Sequence, residues 1–318
     1  MLNRIIEKSL NKEQLLNNEI DYLLKLDTKT LTEAADRIKS HFFDKSVEFC
    51  SIINAKSGRC PEDCKFCAQS SHYNTSIKIY DFLDIETIKK AIEYARSKNV
   101  KRFSIVTSGK KLDKANFNKL IEAIKTIKQL GLKADVSVGI LSYDEIMALK
   151  DAGLDGFHHN LETSRSYFKN VCTTHEYDED VESIKSAKKA GLFVCSGGIF
   201  GIGESWQDRI EMALLLKDLN VDSVPLNFLT PIKGTPYENR PILSKDEALR
   251  IIAIFRFILS DKHIRVCGGR STVFGLDDKF QVLKSGANGI MVGNYLTTTG
   301  FSVDSDLDDI KRLSLKLA

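Results

Sequence analysis

Eight short apolar segments, each followed by a stretch of helical periodicity, constrain this sequence more than any other feature. The intervening stretches are amphipathic, as in IETIKKAIEYARSKN, and several end in a Gly that is typical of a helix C-terminus. Such units predict an α/β fold, a (β/α)₈ TIM-type barrel whose strands are buried on both faces. The strand candidates cover residues 48–55, 102–108, 133–139, 155–162, 193–199, 223–229, 263–269 and 289–295.

A doubly wound open sheet is the alternative architecture, but its usual five or six strands leave some of these units unassigned. About 45 residues before the first strand have helical periodicity and predict an N-terminal helical extension. We therefore expect residues 1–45 to form this extension and residues 46–318 to form the barrel. With 318 residues and 42% hydrophobic content, the chain is long enough for one large core.

The net charge indicates which partners to expect, and the cysteine content indicates which cellular compartment to expect. The formal net charge is only +3, and the lysines spread along helical faces, so we expect neither nucleic acid nor a membrane surface as partner. No segment approaches the roughly 18 consecutive apolar residues of a membrane span, and no signal peptide is evident. Seven cysteines without a secretory signal indicate a reducing compartment, and we expect a cytoplasmic protein.

Three of the cysteines, Cys60, Cys64 and Cys67, lie in the segment CPEDCKFC. This segment follows the first strand candidate, where the loops of a barrel form the functional face. The C-x₃-C-x₂-C spacing admits a CxxC redox pair, a zinc site completed by His72, or a four-iron cluster with one open iron. A redox pair leaves Cys60 without a role, whereas an open iron can bind a small chelating molecule such as S-adenosylmethionine.

The three cysteines, with aromatic Phe66 directly before the last, resemble the signature of the radical S-adenosylmethionine enzymes. The stretch GGIFGIGE, residues 197–204, is similar to the segment that lies beside the adenine in these enzymes. The segments CPEDCKFCAQSSHY, HHNLETS, VCSGGIFGIGE, VPLNFLTPIKGTP and GNYLTTTG further resemble the biotin synthase family, from about residue 50 to residue 300. The resemblance implies a sulfurtransferase that inserts sulfur between two unactivated carbons of dethiobiotin to form biotin.

The resemblance also implies cofactors, partners and site residues. The three cysteines of CPEDCKFC would hold an open-site [4Fe–4S] cluster, a flavodoxin or ferredoxin would supply electrons, and the protein would be a homodimer. The residues implied in S-adenosylmethionine binding are Phe66, Asn160, Glu162, Gly197, Ile199 and Gly201. Those implied in dethiobiotin binding are His158, Asn227, Thr297 and Thr298. His158 stands where many members have Asn, and Asn227 has a structural alternative, in which its amide satisfies the backbone at a strand end.

The sequence departs from the better-known members at a second cluster. In those members a two-iron sulfur donor has one cysteine ligand on each of strands two, three and five, and an arginine on strand seven. Here strands two and three offer Ser104 and Asp135, so only Cys195 and Arg265 remain. We therefore expect that the two-iron cluster does not form in its familiar shape.

The four cysteines outside CPEDCKFC offer another ligand set. Three of them lie in odd-numbered strand candidates, whose side chains share interior layers of a barrel. Soft thiolates there would hold an auxiliary Fe–S cluster, of four irons rather than two, with Arg265 beside it as a catalytic group. The alternative is that they are buried small hydrophobic residues. The proposed ligands are Cys50, Cys172, Cys195 and Cys267.

Two other functions stay open at this stage. A related barrel, such as a hydrogenase-cofactor maturase, would share the three cysteines of CPEDCKFC and a similar His-Asn strand. A non-catalytic zinc or iron–sulfur scaffold that binds a partner would also use clustered thiols. Iron and sulfide content, together with bound S-adenosylmethionine, would separate the scaffold from the enzymes.

Overall fold

The computed structural model describes residues 1–293, 296–298 and 300–318. Its strands are β1 (Ser46–Lys56), β2 (Arg102–Thr107), β3 (Lys133–Ser137), β4 (Gly156–His158), β5 (Phe193–Cys195), β6 (Gly198–Phe200), β7 (Ser223–Phe228), β8 (His263–Val266), β9 (Gly289–Met291) and β10 (Lys316–Leu317). Its α-helices are α1 (Leu2–Leu10), α2 (Asn17–Leu24), α3 (Thr28–Phe43), α4 (Ile85–Ser97), α5 (Lys114–Gln129), α6 (Tyr143–Asp151), α7 (Tyr177–Lys189), α8 (Trp206–Asp218), α9 (Lys245–Ile258), α10 (Arg270–Asp278) and α11 (Val303–Arg312).

The predicted barrel is confirmed. Strands β1 to β5 and β7 to β9 pair in parallel in chain order, and β9 pairs with β1 to close the sheet. The closing register places Cys50 opposite Met291, and on the other edge of β1 Cys50 lies opposite Arg102. The carboxyl ends of all eight strands therefore open onto one face, where their side chains and following loops can form a site.

The strands and helices form where the sequence patterns place them. Every residue of β2, RFSIVT, is buried, as expected for a strand that is covered on both faces. Helix α4 buries Ile88, Ile92 and Ala95 on one stripe and exposes its charged residues. The side chain of Asp84 accepts a hydrogen bond of 2.8 Å from the backbone N–H of Thr87 and so caps its N-terminus.

Three details of the sheet differ from the sequence prediction. The fifth strand candidate is two short strands, β5 and β6, because Ser196 and Gly197 between them leave the regular pairing. The short strand β10 pairs with the start of β1, with Ser46 opposite Lys316, and was not predicted. The eighth strand candidate is strand only over β9, and its last two residues, Asn294 and Tyr295, lie outside the described residues, as does Thr299 of GNYLTTTG.

The first three helices pack against the barrel helix α9. The Ser9 hydroxyl donates a hydrogen bond of 2.9 Å to the Phe257 carbonyl. Arg250 donates one of 2.7 Å to the Leu24 carbonyl at the end of α2. Within the described part of the chain, no helix has both the length and the apolar character that crossing a bilayer requires.

Candidate active site

The thiols of Cys60, Cys64 and Cys67 line one cavity of about 200 Å³ at the carboxyl face of the barrel. The loop that carries them is closed by hydrogen bonds of 3.0 Å from Cys60 N–H to the Gln69 carbonyl and of 2.9 Å from Cys67 N–H to the Cys64 carbonyl. All three thiols are free. His72 directs Nε2 to the Pro61 carbonyl at 2.9 Å, an interaction that does not involve these thiols.

The electrostatics of this loop fit a metal cluster. Burial raises the pKa of the Cys67 thiol to about 11, and both burial and the nearby Cys172 thiol raise that of Cys64. Three converging thiols with raised pKa values need positive charge before they lose their protons together, and bound iron supplies that charge. The donor set therefore fits a [4Fe–4S] cluster that has three protein ligands.

Asn160 and Glu162, which follow β4, line the same cavity. Glu162 has a φ of +62°, and its carbonyl accepts a hydrogen bond of 2.8 Å from Ile199 N–H. The Asn160 carboxamide oxygen accepts one of 3.2 Å from Gly197 N–H. Burial raises the pKa of Glu162 to about 7, and this raised pKa is typical of a functional carboxyl group.

The glycine-rich stretch after β5 lets backbone segments approach closely. A Cβ at Gly197 would lie 2.0 Å from the Pro225 carbonyl oxygen, so no larger residue fits. The Glu204 carboxylate accepts hydrogen bonds of 3.1 Å from Gly201 N–H and 2.8 Å from Arg209 Nε, and so holds the next turn. Ile199 and Phe66 line the wall of a second, neighbouring cavity, and Gly197 and Gly201 belong to the backbone that carries Ile199.

A second cavity, of about 260 Å³, adjoins the first. Phe66, Asn160 and Glu162 belong to the walls of both cavities, so the two spaces are neighbours. The second cavity also contains most of the other side chains that the sequence singled out. They are Cys50, Cys195, Cys267, Arg265, His158, Asn227, Thr297 and Thr298.

Three thiols and one guanidinium meet in the second cavity. The interaction between the Cys50 and Cys267 thiols lowers the pKa of Cys50 and raises that of Cys267. Burial raises the pKa of Cys195 to about 11. Arg265 is 1% exposed and donates from Nη2 to Glu48 at 2.5 Å, but its Nε and Nη1 have no partner among the described residues. Buried donors of this kind fit an anionic group in the cavity, such as a thiolate-ligated cluster.

Ser104 and Asp135 are the residues that the family resemblance places at the positions of two expected cluster ligands. Asp135 accepts hydrogen bonds of 2.9 and 2.7 Å from Arg102 and lies 3.1 Å from His158 Nε2. Burial alone would raise the pKa of Asp135, but His158 and Arg102 hold it at about 2. The Ser104 hydroxyl is buried and has no partner among the described residues. Asp135 is thus an ion-pair partner in this structure.

Cys172 does not join the thiols of the second cavity. It lines the first cavity, where its thiol contacts that of Cys64 and lies 3.3 Å from His175 Nδ1. His175 and its neighbour Glu62 were not singled out from the sequence. The sequence contains both residues, one within CPEDC and the other in CTTH, but no local pattern links them. Only the fold brings Glu62 and His175 together.

The residues expected to contact the substrate differ in whether their side chains already form hydrogen bonds within the protein. The Asn227 side-chain NH₂ donates a hydrogen bond of 3.1 Å to the Gly198 carbonyl, and the Asn227 side-chain oxygen accepts one of 2.9 Å from Gly268 N–H. This is the structural alternative that the sequence left open. Thr297 and Thr298 stand in the cavity wall and are at least partly exposed.

Comparison with known families defines the class of this protein. Residues 55–216 match the model of the Radical SAM superfamily, and residues 225–316 match that of the Biotin and Thiamin Synthesis associated domain. With the closed barrel and the three-cysteine loop, these matches define a radical S-adenosylmethionine enzyme, whose cofactors are a [4Fe–4S] cluster and S-adenosylmethionine.

The particular family follows from individual relatives. The chain is 51% identical over 284 residues to the biotin synthase of Thermodesulfovibrio yellowstonii, with 89% of each chain covered. It is 46% identical to the biotin synthase of Pelotomaculum thermopropionicum over 100% of both chains. The chain belongs to the biotin synthase family.

Solved structures show the fold alone. Methylornithine synthase superposes with a TM-score of 0.86 at 20% identity, covering 99% of this chain and 97% of the other. An FeFe-hydrogenase maturase from Carboxydothermus hydrogenoformans superposes with a TM-score of 0.82 at 16% identity, covering 99% and 78%. The maturase resembles this chain far less in sequence than the biotin synthases do, so the maturase alternative is set aside.

Proposed function

We propose that this chain converts dethiobiotin to biotin by radical S-adenosylmethionine chemistry, with an auxiliary Fe–S cluster as the sulfur donor. The observation that carries the proposal is that the three thiols of CPEDCKFC line one cavity, whereas Cys50, Cys195 and Cys267 line the adjoining cavity, which Cys67 also borders. The first cavity would hold the cluster for radical initiation, and the second would hold the cluster that serves as sulfur source. A substrate at their shared wall would reach both.

Cys60, Cys64 and Cys67 would hold the open-site cluster in the first cavity. When bound, the cluster and S-adenosylmethionine supply a 5′-deoxyadenosyl radical that removes hydrogen from an unactivated carbon. Asn160 and Glu162 would hold the ribose of the nucleoside, since both present polar groups to this cavity. The apolar side chains of Phe66 and Ile199 would exclude water from the path between the cofactor and the substrate.

Cys50, Cys195 and Cys267 would hold the auxiliary cluster in the second cavity. Arg265 would offset its negative charge and donate hydrogen bonds to its sulfur atoms from Nε and Nη1. Cys172 is left out of this ligand set because its thiol lies against Cys64. We propose a cluster of four irons, with one position filled by a non-protein group, because two of the three thiols lie on β1 and just after β8 and not on the strands that carry the cysteine ligands of the familiar two-iron cluster.

The residues that would contact dethiobiotin all line the second cavity. His158 is fixed by Asp135 at 3.1 Å and faces the second cavity, where it would meet the ureido ring of dethiobiotin. Asn227 would do so while its amide holds two backbone segments in place. Thr297 and Thr298 would meet the carboxylate end.

The remaining partners follow from the reaction. Reductive cleavage of S-adenosylmethionine needs a one-electron donor, for which we propose a flavodoxin or ferredoxin, and we propose a homodimer as the assembly. The seven free thiols favour a reducing compartment, which we propose to be the cytoplasm.

The experiment that tests this function combines cluster counting with product analysis. Anaerobically reconstituted protein should show two kinds of cluster by Mössbauer spectroscopy and form both 5′-deoxyadenosine and biotin. Cys64→Ala should lose both products, whereas Cys195→Ala should keep 5′-deoxyadenosine formation and lose biotin. Biotin formation by Cys195→Ala at the wild-type level would refute the auxiliary site. Normal 5′-deoxyadenosine formation by Cys64→Ala would refute the first site.

A further inference from the structure

Three side chains with different ligand atoms meet beside the first cavity and have no role in the proposed reaction. The Cys172 thiol lies 3.3 Å from His175 Nδ1 and 4.0 Å from Glu62 Oε2. Glu62 Oε2 and His175 Nδ1 are 2.5 Å apart. Sulfur, nitrogen and oxygen donors all lie within 4.8 Å of one another, close enough to share one metal ion.

A fourth ligand is supplied by the pairing of two loops. Lys65 N–H donates to the Val171 carbonyl at 3.0 Å, and Thr173 N–H donates to the Asp63 carboxylate at 2.7 Å. These two bonds hold residues 63–65 beside residues 171–173, so Cys64 and Cys172 lie at the middle of two adjacent segments. Both thiols line the first cavity, and the Cys64 side chain would turn toward the three-residue group to bind an ion, because the donor atoms within 4.8 Å of one another are those of Glu62, Cys172 and His175. This register brings a second soft donor to the group.

The histidine of this group is oriented as a metal ligand would be. His175 Nε2, the nitrogen that points away from the group, lies 3.1 Å from Asp180 Oδ2. Asp180 is itself held by His159 Nε2 at 2.8 Å. A carboxylate on the far nitrogen fixes the ring and its tautomer, which is the usual arrangement around a metal-bound histidine.

An ion pair between Glu62 and His175 explains their own contact but not the two thiols beside it. Cys172 is 1% exposed and Glu62 is 8% exposed, so the group is largely shielded from solvent, yet all of it lines the first cavity, through which an ion can enter. Tetrahedral zinc has ligand atoms roughly 3.5 Å apart, given metal–ligand bonds of about 2.0 to 2.3 Å. The carboxylate would retreat by about 1 Å to admit the ion.

We propose that the cluster-free protein binds one divalent ion of the zinc type through Glu62, Cys64, Cys172 and His175. Two thiolates, one imidazole and one carboxylate form a four-ligand set that suits a borderline ion with tetrahedral geometry. The thiol protons pass to solvent as the ion binds. Because Cys64 is also a ligand of the open-site cluster, this ion and that cluster exclude each other.

Cobalt(II) titration of the cluster-free protein tests this site, because tetrahedral thiolate coordination gives cobalt strong visible and near-ultraviolet bands. The background variant is Cys60→Ser/Cys67→Ser, which removes two of the three cluster thiols but leaves all four proposed ligands. We expect this background to bind cobalt with a thiolate charge-transfer band. Adding Cys172→Ser, or separately His175→Gln, should remove one equivalent of cobalt and this band.

Cys267→Ser in the same background is the matched control, since it removes a buried thiol from the other cavity. It should keep the cobalt equivalent that Cys172→Ser removes. An unchanged stoichiometry and spectrum in both Cys172→Ser and His175→Gln, with far-ultraviolet circular dichroism showing that both variants fold, would overturn the proposal.

Competition with the cluster supplies a second readout. Wild-type protein that is first loaded with zinc should incorporate less iron during anaerobic reconstitution, and a chelator should restore the iron content. Equal iron incorporation with and without bound zinc would contradict the sharing of Cys64. These measurements need no turnover, so they stand or fall separately from biotin formation.

Discussion

Two buried arginines, Arg102 and Arg265, have different partners. Arg102 donates two hydrogen bonds to Asp135, whereas Arg265 donates one hydrogen bond, from Nη2, to Glu48. The ring of Phe193 lies between the two cations, 4.1 Å from the Arg102 guanidinium carbon and 5.6 Å from that of Arg265. Asp135 thus neutralises Arg102, whereas Arg265 lines the second cavity with Nε and Nη1 unpartnered among the described residues.

Ser104→Ala tests whether the hydroxyl that replaces a cluster ligand has taken over its role. We expect the auxiliary iron content of reconstituted protein to stay unchanged, because a neutral hydroxyl is a poor ligand for iron beside thiolates. Iron analysis and Mössbauer spectroscopy measure it, and Cys195→Ala is the positive control that should lower the iron content. Loss of auxiliary iron in Ser104→Ala would show that the oxygen is a ligand.

Glu162→Gln should raise the melting temperature more at pH 8 than at pH 5. Burial raises the pKa of Glu162 from 4.5 to about 7, so the folded protein holds this proton more tightly than the unfolded chain does. Its contribution to stability is full below pH 4.5 and is lost as the pH rises through about 7. The side chain is partly exposed to the cavity, so we expect on the order of 1–2 kcal/mol at pH 8.

Thermal unfolding of protein without S-adenosylmethionine, at both pH values, measures this difference. Glu145→Gln is a useful control, because that carboxyl has a lowered pKa and its contribution to stability is lost only below about pH 4.5, so its effect should be nearly the same at both pH values. A gap between Glu162→Gln and wild type that is the same at both pH values would contradict the raised pKa.

At the scale of elements, the sequence predicts the strands and helices whose residues follow a local, periodic pattern. The eight strand positions and the glycines that end helices are visible because each residue contributes to a repeating pattern of burial. Asn160 and Glu162 were placed by resemblance to a motif. The position of Cys172 depends on how its loop pairs with the loop of CPEDCKFC, which no local pattern encodes, so the sequence does not reveal that Cys172 lines a different cavity from Cys50, Cys195 and Cys267.

The glycine at the start of α10 offers a test of how tightly the loop after β8 is built. Gly269 has a φ of +76°, and a Cβ there would lie 1.9 Å from the Phe228 carbonyl oxygen. Gly131 has a φ of +81° but has open space around it. Gly131→Ala should therefore cost only the left-handed strain, about 1 kcal/mol, and Gly269→Ala should cost 1–3 kcal/mol more, on the order expected for overpacking.

Urea denaturation of the two variants measures this difference. Equal losses of stability would mean that the loop moves freely away from β7. In that case the position of Cys267, two residues before Gly269, would not be fixed by the backbone.

At the scale of the whole molecule, the N-terminal helices and the barrel share one hydrophobic core. Ile5, Leu23 and Leu31 from α1 to α3 are fully buried in the same cluster as the barrel residues Ile252 and Phe255 of α9. The division into an extension, residues 1–45, and a barrel, residues 46–318, stays a prediction. A shared core leads us to expect that the two parts unfold together.

Leu31→Ala tests this expectation. Leu31 is 0% exposed, so its truncation leaves a cavity between α3 and the barrel and should cost about 2–5 kcal/mol. Leu16→Ala is the control, because that side chain is 55% exposed and should change stability by less than about 0.5 kcal/mol. If the core is shared, Leu31→Ala shifts a single transition, seen alike by circular dichroism and by Trp206 fluorescence. A separate early transition that leaves the Trp206 signal unmoved would instead make residues 1–45 an independent unit, because Trp206 lies in the barrel helix α8.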